Sequence, residues 1–309
     1  KSASTWEKHL TQNHEKLINK ENMTMKIAIL GTGLMGSALA TSAINSGYEV
    51  AVYNRTASKA QPLVDMGAKL ATTASEAIVA ADATILVLLD GKALKSTLFN
   101  DEVKAALRGK KLLNASTTSV SDIMEVAEFV EQNGGSLAEM SIMVGPEQLG
   151  SKKGVFMLAC SADDKAFWEE ILASVGESTQ YLGETGSATK AEAPVLLASM
   201  MSPMTLAYAV AVAKKFDVPQ EAYAPIMSMM FPGAEYFIPN MMAQNYEEVS
   251  AAIDSYTTGL ATAIEVAKYA GLPTGVMEEM KKLYEEAANR GYAKKDATAV
   301  IEVLINAKQ

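Results

Sequence analysis

Residues 25–40 read MKIAILGTGLMGSALA, an apolar run that ends at Gly31, Gly33 and Gly36 and continues as an alanine-rich helical pattern. Glycines at this spacing, after a strand and at the opening of a helix, can hold a pyrophosphate. Gly31 permits the tight turn, Gly33 lets the backbone approach the anion, and Gly36 lets helix and strand pack closely. Thr32, Leu34 and Met35 complete the turn, and the N-terminus of the following helix faces the anion. A bare structural turn could show the same three glycines; the strand-to-helix context decides for a dinucleotide.

The end of the second apolar run, VYNRTASKA, bears on which dinucleotide. An acid there would hydrogen-bond a ribose 2'-hydroxyl, whereas an arginine accommodates a 2'-phosphate. Asn54 stands where the acid would be, Arg55 and Thr56 offer a charge-assisted donor and a hydroxyl, and Lys59 adds a cation nearby. The pattern favours NADP (NADPH) over NAD.

The elements that must position these residues are legible beyond residue 24. KIAIL, EVAVY, ATILVLL, KKLLNA, VFMLAC and STQYL read as strands, separated by segments of helical period that end in glycine. That alternation is the pattern of βαβ units and a parallel sheet. From Gly186 onward the strand signal ceases and helical periods continue to the end. The expected fold is α/β over residues 25–183, then an all-helical domain over 184–309. Residues 1–24 are polar and read as a leader or disordered extension, with Met23 or Met25 as the expected natural start.

Composition narrows the function classes. The net charge of −9 argues against nucleic acid, whose phosphates are held by clustered Lys and Arg. No membrane span is expected. The two histidines, His9 and His14, both precede the first strand, which removes Ser/His, Cys/His and His-ligated zinc chemistry from the body of the chain, and no metal is expected. Cys160, the one cysteine, lies among apolar neighbours and reads as a buried thiol on a strand. A reducing, cytoplasmic location follows as the expectation.

Six motifs in order, GTGLMGSALA, NRT, VLLD, LLNASTTS, GGSLAEMSIMVGPEQLG and GETGSATKAE, resemble the β-hydroxyacid dehydrogenase superfamily, which includes 3-hydroxyisobutyrate and 6-phosphogluconate dehydrogenase-like proteins. Within it the closest resemblance is to the imine reductases. It extends from Lys26 to Leu304 and implies an N-terminal Rossmann NADP-binding domain, a long interdomain helix and an all-helical C-terminal domain. It also implies a homodimer whose active site is shared between subunits and takes a small-molecule substrate. In such proteins the segment matching Leu88, Leu89 and Asp90 borders the cofactor, and the one matching Ser116 and Thr117 borders the nicotinamide. Read without the resemblance, these are a strand end and a helix cap, and Thr118, Ser119 and Ser121 are all capping candidates.

A few positions separate the branches of the superfamily. The resemblance places Lys190 where hydroxyacid dehydrogenases carry a proton-handling lysine, but Pro194 stands where their asparagine would follow. Thr258 and Gly259 occupy the place of a second lysine and an aspartate. Glu192 matches the position where imine reductases carry an aspartate or a tyrosine. Lys190 and Glu192 are therefore the catalytic candidates, separated by roughly 200° around a helix. Reduction of a C=N bond by NADPH is the first reading. A β-hydroxyacid dehydrogenase using Lys190 is the second, and an NADP-binding sensor or scaffold without turnover is the third.

Overall fold

The structure, a computed structural model, describes residues 25–149, 155–175, 178–231 and 233–306. The expected leader, 1–24, lies outside them. The strands are β1 (Lys26–Leu30), β2 (Glu49–Tyr53), β3 (Lys69–Leu70), β4 (Ala83–Leu86), β5 (Lys111–Asn114), β6 (Ser136–Ile142), β7 (Val155–Ala159) and β8 (Ser178–Tyr181). They form one sheet in the order β3-β2-β1-β4-β5-β6-β7-β8. From Ile27 onward β1 is buried, as is all of β4, because helices cover a parallel sheet on both faces. This is why their sequences are unbroken apolar runs instead of alternations.

Two features differ from the sequence expectation. The sheet is mixed, since β6 and β7 pair antiparallel while the other neighbours are parallel. A parallel pair needs a long crossover, usually a helix, and the described part of the connection holds only the short helical turn Pro146–Gln148. In addition, β3 and β6 have no strand-like signal in the sequence. Two residues are too few for a period, and the apolar pattern of β6 is interrupted by Glu139, which is buried nevertheless.

The chain divides into two compact units. The sheet unit runs to Ser116 and resumes over Met124–Ala188; the helical unit comprises Thr117–Ile123 and the residues from Thr189. The core of the sheet unit gathers Ile27, Ile29, Val52, Ile85, Leu113, Phe156 and Trp168. Cys160 is buried there, one residue past the end of β7.

The helical unit has helices Gln220–Met230, Ala234–Ala243, Ile253–Tyr269, Gly275–Ala287 and Ile301–Ile305, and most of the helix Ser187–Lys215. Its core is built on Leu206, Val210, Ile238, Met241, Leu260 and Tyr284. Within Ser187–Lys215 residues 193–213 carry no charge, and the helix is long and apolar enough to cross a membrane by length and composition alone. A third of that apolar stretch is buried inside the protein, with Leu206, Ala207 and Val210 in the helical unit's own core.

Candidate functional site

The three turn glycines are there for different physical reasons. Gly31 has a φ of +104°, and a Cβ on it would lie 2.0 Å from the Val87 carbonyl oxygen. A Cβ on Gly36 would lie 2.0 Å from the carbonyl oxygen of Gly31 itself. Both positions are dictated by the packing of the chain on itself. At Gly33 a Cβ would meet nothing within 4 Å. Gly33 is the N-cap of the helix Leu34–Asn45, which has neither a side-chain cap nor an acid in its first turn. Its leading amides therefore retain their capacity to bind an anion. Leu34 is exposed, while Met35 packs partly against the core.

Thr32 and Asn54 join the turn to the end of β2. The Thr32 amide donates to Asn54 Oδ1 at 3.2 Å, and Asn54 Nδ2 donates to the Thr56 carbonyl at 2.9 Å. Asn54 thus braces the loop that presents Arg55. Arg55 is exposed, without an ion pair among the described residues, and Thr56 is exposed beside it. The Thr32 hydroxyl is buried and has no hydrogen-bond partner among the described residues. A buried orphan of this kind in an anion-binding turn is an open site for a ligand atom or a water.

The next strand ends complete this edge of the sheet. The strand expected over ATILVLL stops at Leu86; the Val87 amide still donates to the Leu30 carbonyl at 2.8 Å, and Leu88 to Asp90 leave the ladder. Ser116 Oγ accepts the Leu88 amide at 2.9 Å, which ties the ends of β4 and β5 together. Leu89 is exposed. Asp90 caps the helix Gly91–Leu98, accepting the Ala93 amide at 2.7 Å. Ser119 caps the helix Val120–Gln132 by accepting the Asp122 amide at 3.2 Å, and Thr118 is buried with a hydroxyl that has no hydrogen-bond partner among the described residues. Thr117 is half-buried.

The catalytic candidates sit in the first two turns of the helix Ser187–Lys215, and by the division of the chain Lys190, Glu192 and Thr117 fall in the helical unit. Lys190 is exposed with no ion pair among the described residues, and Glu192 is half-buried. The helix runs through Pro194 without a break. Proline has no N–H, so the carbonyl of Lys190, four residues earlier, loses its intrahelical donor. One contributor to this region escapes sequence reasoning. The buried carboxylate of Glu139 accepts the amides of Gly186 and Ala188 at 2.6 and 2.8 Å, capping the helix from within the sheet unit. Its only signal in the sequence is an acid inside an apolar run.

The place where hydroxyacid dehydrogenases are expected to carry a lysine and an aspartate is taken up by helix packing. A Cβ on Gly259 would lie 2.6 Å from Met200 Sδ, and Thr258 Oγ1 donates to the Asp254 carbonyl at 3.0 Å. Tyr236, another hydroxyl in this unit, is tied to Asp296 at 3.0 Å. Among the described residues no cluster of His, Cys, Asp and Glu could hold a metal.

Residues 26–183, about half of the chain, match the family described as the NAD binding domain of 6-phosphogluconate dehydrogenase. Residues 191–306 match the NADPH-dependent reductive aminase-like C-terminal domain. The chain belongs to the β-hydroxyacid dehydrogenase superfamily. This superfamily member is 26% identical over 291 residues to an NADPH-dependent reductive aminase of Aspergillus oryzae, a match covering 91% of this chain and 97% of that one. It is also 26% identical over 295 residues to the chloroplastic glyoxylate/succinic semialdehyde reductase 2 of Arabidopsis thaliana, covering 92% and 81%. Among solved structures it is similar to the reductive aminase of Aspergillus terreus in complex with NADPH and ethyl-5-oxohexanoate, with a TM-score of 0.59, 28% identity and coverage of 91% and 99%.

As a superfamily member the protein is an NAD(P)-dependent oxidoreductase, and its residues fit the cofactor. The open space at Gly33, the orphaned Thr32 hydroxyl and the unpaired Arg55 are the observations that carry this fit. The glycine turn would hold the pyrophosphate, and Arg55 and Thr56 would meet a 2'-phosphate.

Proposed function

We propose that the protein is an NADPH-dependent reductase of C=N bonds in small imine or iminium substrates. The single observation that carries this reading is the match of residues 191–306 to the reductive aminase-like C-terminal domain. The free Arg55 guanidinium favours NADPH, since a charge-assisted contact to a 2'-phosphate has no counterpart in NADH. Bound NADPH supplies the hydride. The chain's part is to grip the pyrophosphate at the glycine turn, exclude water from the reacting bond, and place a proton at the substrate nitrogen. Glu192 is the group proposed for that last role: its carboxylic acid would give the proton to a neutral imine nitrogen, and the carboxylate left behind would face the resulting iminium.

A second reading, reduction of a semialdehyde or oxidation of a β-hydroxyacid by way of Lys190, rests on the exposed, unpaired ammonium of Lys190 and on the Arabidopsis relative. NADPH oxidation measured against a panel of cyclic imines, ketone–amine mixtures and short aldehyde acids separates the two. Turnover confined to the acids overturns the imine reading, and NADPH binding without turnover on any member supports a sensor.

We further propose a homodimer that shares its active site between subunits. The helix Gln220–Met230 buries none of its residues, and Ile226, Met229 and Met230 on it are exposed. Tyr208, Val212 and Phe216 on Ser187–Lys215 are exposed as well. Apolar faces of this extent call for cover. Light scattering that shows a monomer across micromolar concentrations rejects the dimer.

A further inference from the structure

Ser116 matches a position expected to border the nicotinamide, yet its hydroxyl is engaged inside the protein. It accepts the Leu88 amide at 2.9 Å and donates its proton to the Leu86 carbonyl at 3.3 Å. Its backbone is held on both sides by one side chain: Asn114 Oδ1 accepts the Ser116 amide at 3.1 Å, and Asn114 Nδ2 donates to the Ser116 carbonyl at 3.0 Å. Asn114 and Ser116 are 2% and 7% exposed. All four bonds lie in the sheet unit, at the ends of β4 and β5. Buried hydrogen bonds gain strength from the low local dielectric, and each lost partner leaves a costly orphan.

We propose that Asn114 and Ser116 form a positioning clamp for the cofactor edge, with Ser116 acting through the chain path of Val87 to Asp90 and not as a nicotinamide ligand. The inference rests on the reading of this edge as the NADPH site. The clamped segment is also the back wall of the glycine turn, because the Val87 carbonyl oxygen occupies the space a Cβ on Gly31 would need. The Val87 amide donates to the Leu30 carbonyl at 2.8 Å, so β1 fixes the near end of this segment and the Ser116 hydroxyl fixes the peptide that follows, the one whose carbonyl faces Gly31. Hydride transfer is sensitive to such placement: a misplacement of about 1 Å can cost on the order of a hundredfold in rate. Initial binding, carried by the glycine turn and Arg55, is less sensitive.

The test compares Ser116→Ala, Asn114→Asp and, as a control, Thr118→Val, which removes a buried hydroxyl that has no partner among the described residues. Amide exchange at Leu88, measured without NADPH, reads the clamp directly. Ser116→Ala should speed exchange there by about tenfold or more, while Thr118→Val leaves it unchanged. With NADPH and a substrate that the wild type turns over, Ser116→Ala should lower kcat by about ten- to a hundredfold and shift the NADPH dissociation constant much less. Transfer from NADPH deuterated on one face of C4 should lose part of its stereospecificity, a change that general destabilisation would not produce. Asn114→Asp, which keeps the acceptor for the Ser116 amide and loses the donor to its carbonyl, should fall between, and the double variant should cost less than the sum. Unchanged Leu88 exchange in Ser116→Ala overturns the clamp. So does a loss confined to NADPH affinity with kcat intact, which would make Ser116 a direct ligand. Failure of the wild type to bind NADPH refutes the functional reading instead, and the exchange measurement still decides the clamp.

Discussion

The glycine turn at Gly31–Gly36 and the first turns of the helix Ser187–Lys215 both carry candidate chemistry, but the protein specifies them by different means. In the turn the flanking candidates are held by close neighbours, Gly31 against Val87, Gly36 against Gly31 and the Thr32 amide against Asn54, while the space at Gly33 is open. At the helix start, Glu139 holds the backbone while the Lys190 side chain stands exposed with no ion pair. A binding site for an invariant group can be built from backbone, which the chain packs against itself. A proton-handling site has to suit a substrate, and here the Lys190 ammonium is the group left exposed. The turn should therefore answer to substitution mostly in stability and affinity, and the helix start mostly in turnover.

The sharpest break in that contrast would come from Lys190→Ala and Glu192→Ala. A positioned acid or base contributes about 10² to 10⁴ in rate, so the true proton handler should lose that much kcat with NADPH affinity retained. Imine reduction assigns the larger loss to Glu192, and hydroxyacid oxidation assigns it to Lys190. Full activity in both variants would remove the helix start from the chemistry altogether.

Substitutions in the turn come next in size. Gly31→Ala forces a residue with a Cβ into a positive φ and against a carbonyl oxygen, and should cost about 2 to 4 kcal/mol in stability, read from denaturant or thermal melts. Gly33→Ala has room in the free protein, so its melting curve should match the wild type while calorimetry shows weaker NADPH binding. Equal destabilisation by both would mean that the turn is structural only. Arg55→Ala should reduce the preference for NADPH over NADH by about 1.5 to 3 kcal/mol, roughly ten- to a hundredfold, and an unchanged ratio would remove Arg55 from the site.

The smallest effect is expected in the helical unit's response to acid. Burial by itself would raise the pKa of Asp296, but hydrogen bonds from Thr298, Ser250 and Tyr236 outweigh it and hold the group below the ordinary aspartate value. Folding therefore favours the ionised form. Its contribution is complete above the unfolded value and is lost as the pH falls through the folded one, below about pH 4. Asp296→Asn should flatten the acid limb of a melting temperature–pH profile and leave the neutral limb parallel to the wild type. An unaltered acid limb would show that the carboxylate's charge is not what the three donors stabilise.

Much of this was legible in the sequence. The strand KIAIL, the turn glycines and the switch from alternating to purely helical periods are local patterns, set by side-chain period and by the conformations only glycine adopts. Strand β6 was not legible, because a buried acid interrupts its pattern and the reason for that acid, a helix N-terminus 47 residues later, is far away in sequence. The reversal of β7 was hidden for a related reason: a strand's own residues do not record the direction of its neighbour.

By itself the sequence determined the two-part architecture, the position of the glycine turn and the superfamily, because apolar periodicity, glycine spacing and the order of six motifs are properties of the chain. Only the tertiary structure decided what the individual polar groups do. Asn54 and Ser116 read as direct cofactor contacts, but both are engaged in holding backbone, while the Thr32 hydroxyl and the Arg55 guanidinium are left available. The physical reason is that a hydrogen bond depends on distance and direction between groups that the fold brings together, here 22 residues apart for Thr32 and Asn54 and 28 for Leu88 and Ser116. Residue type states what a side chain can donate or accept, and the fold settles which partner it meets.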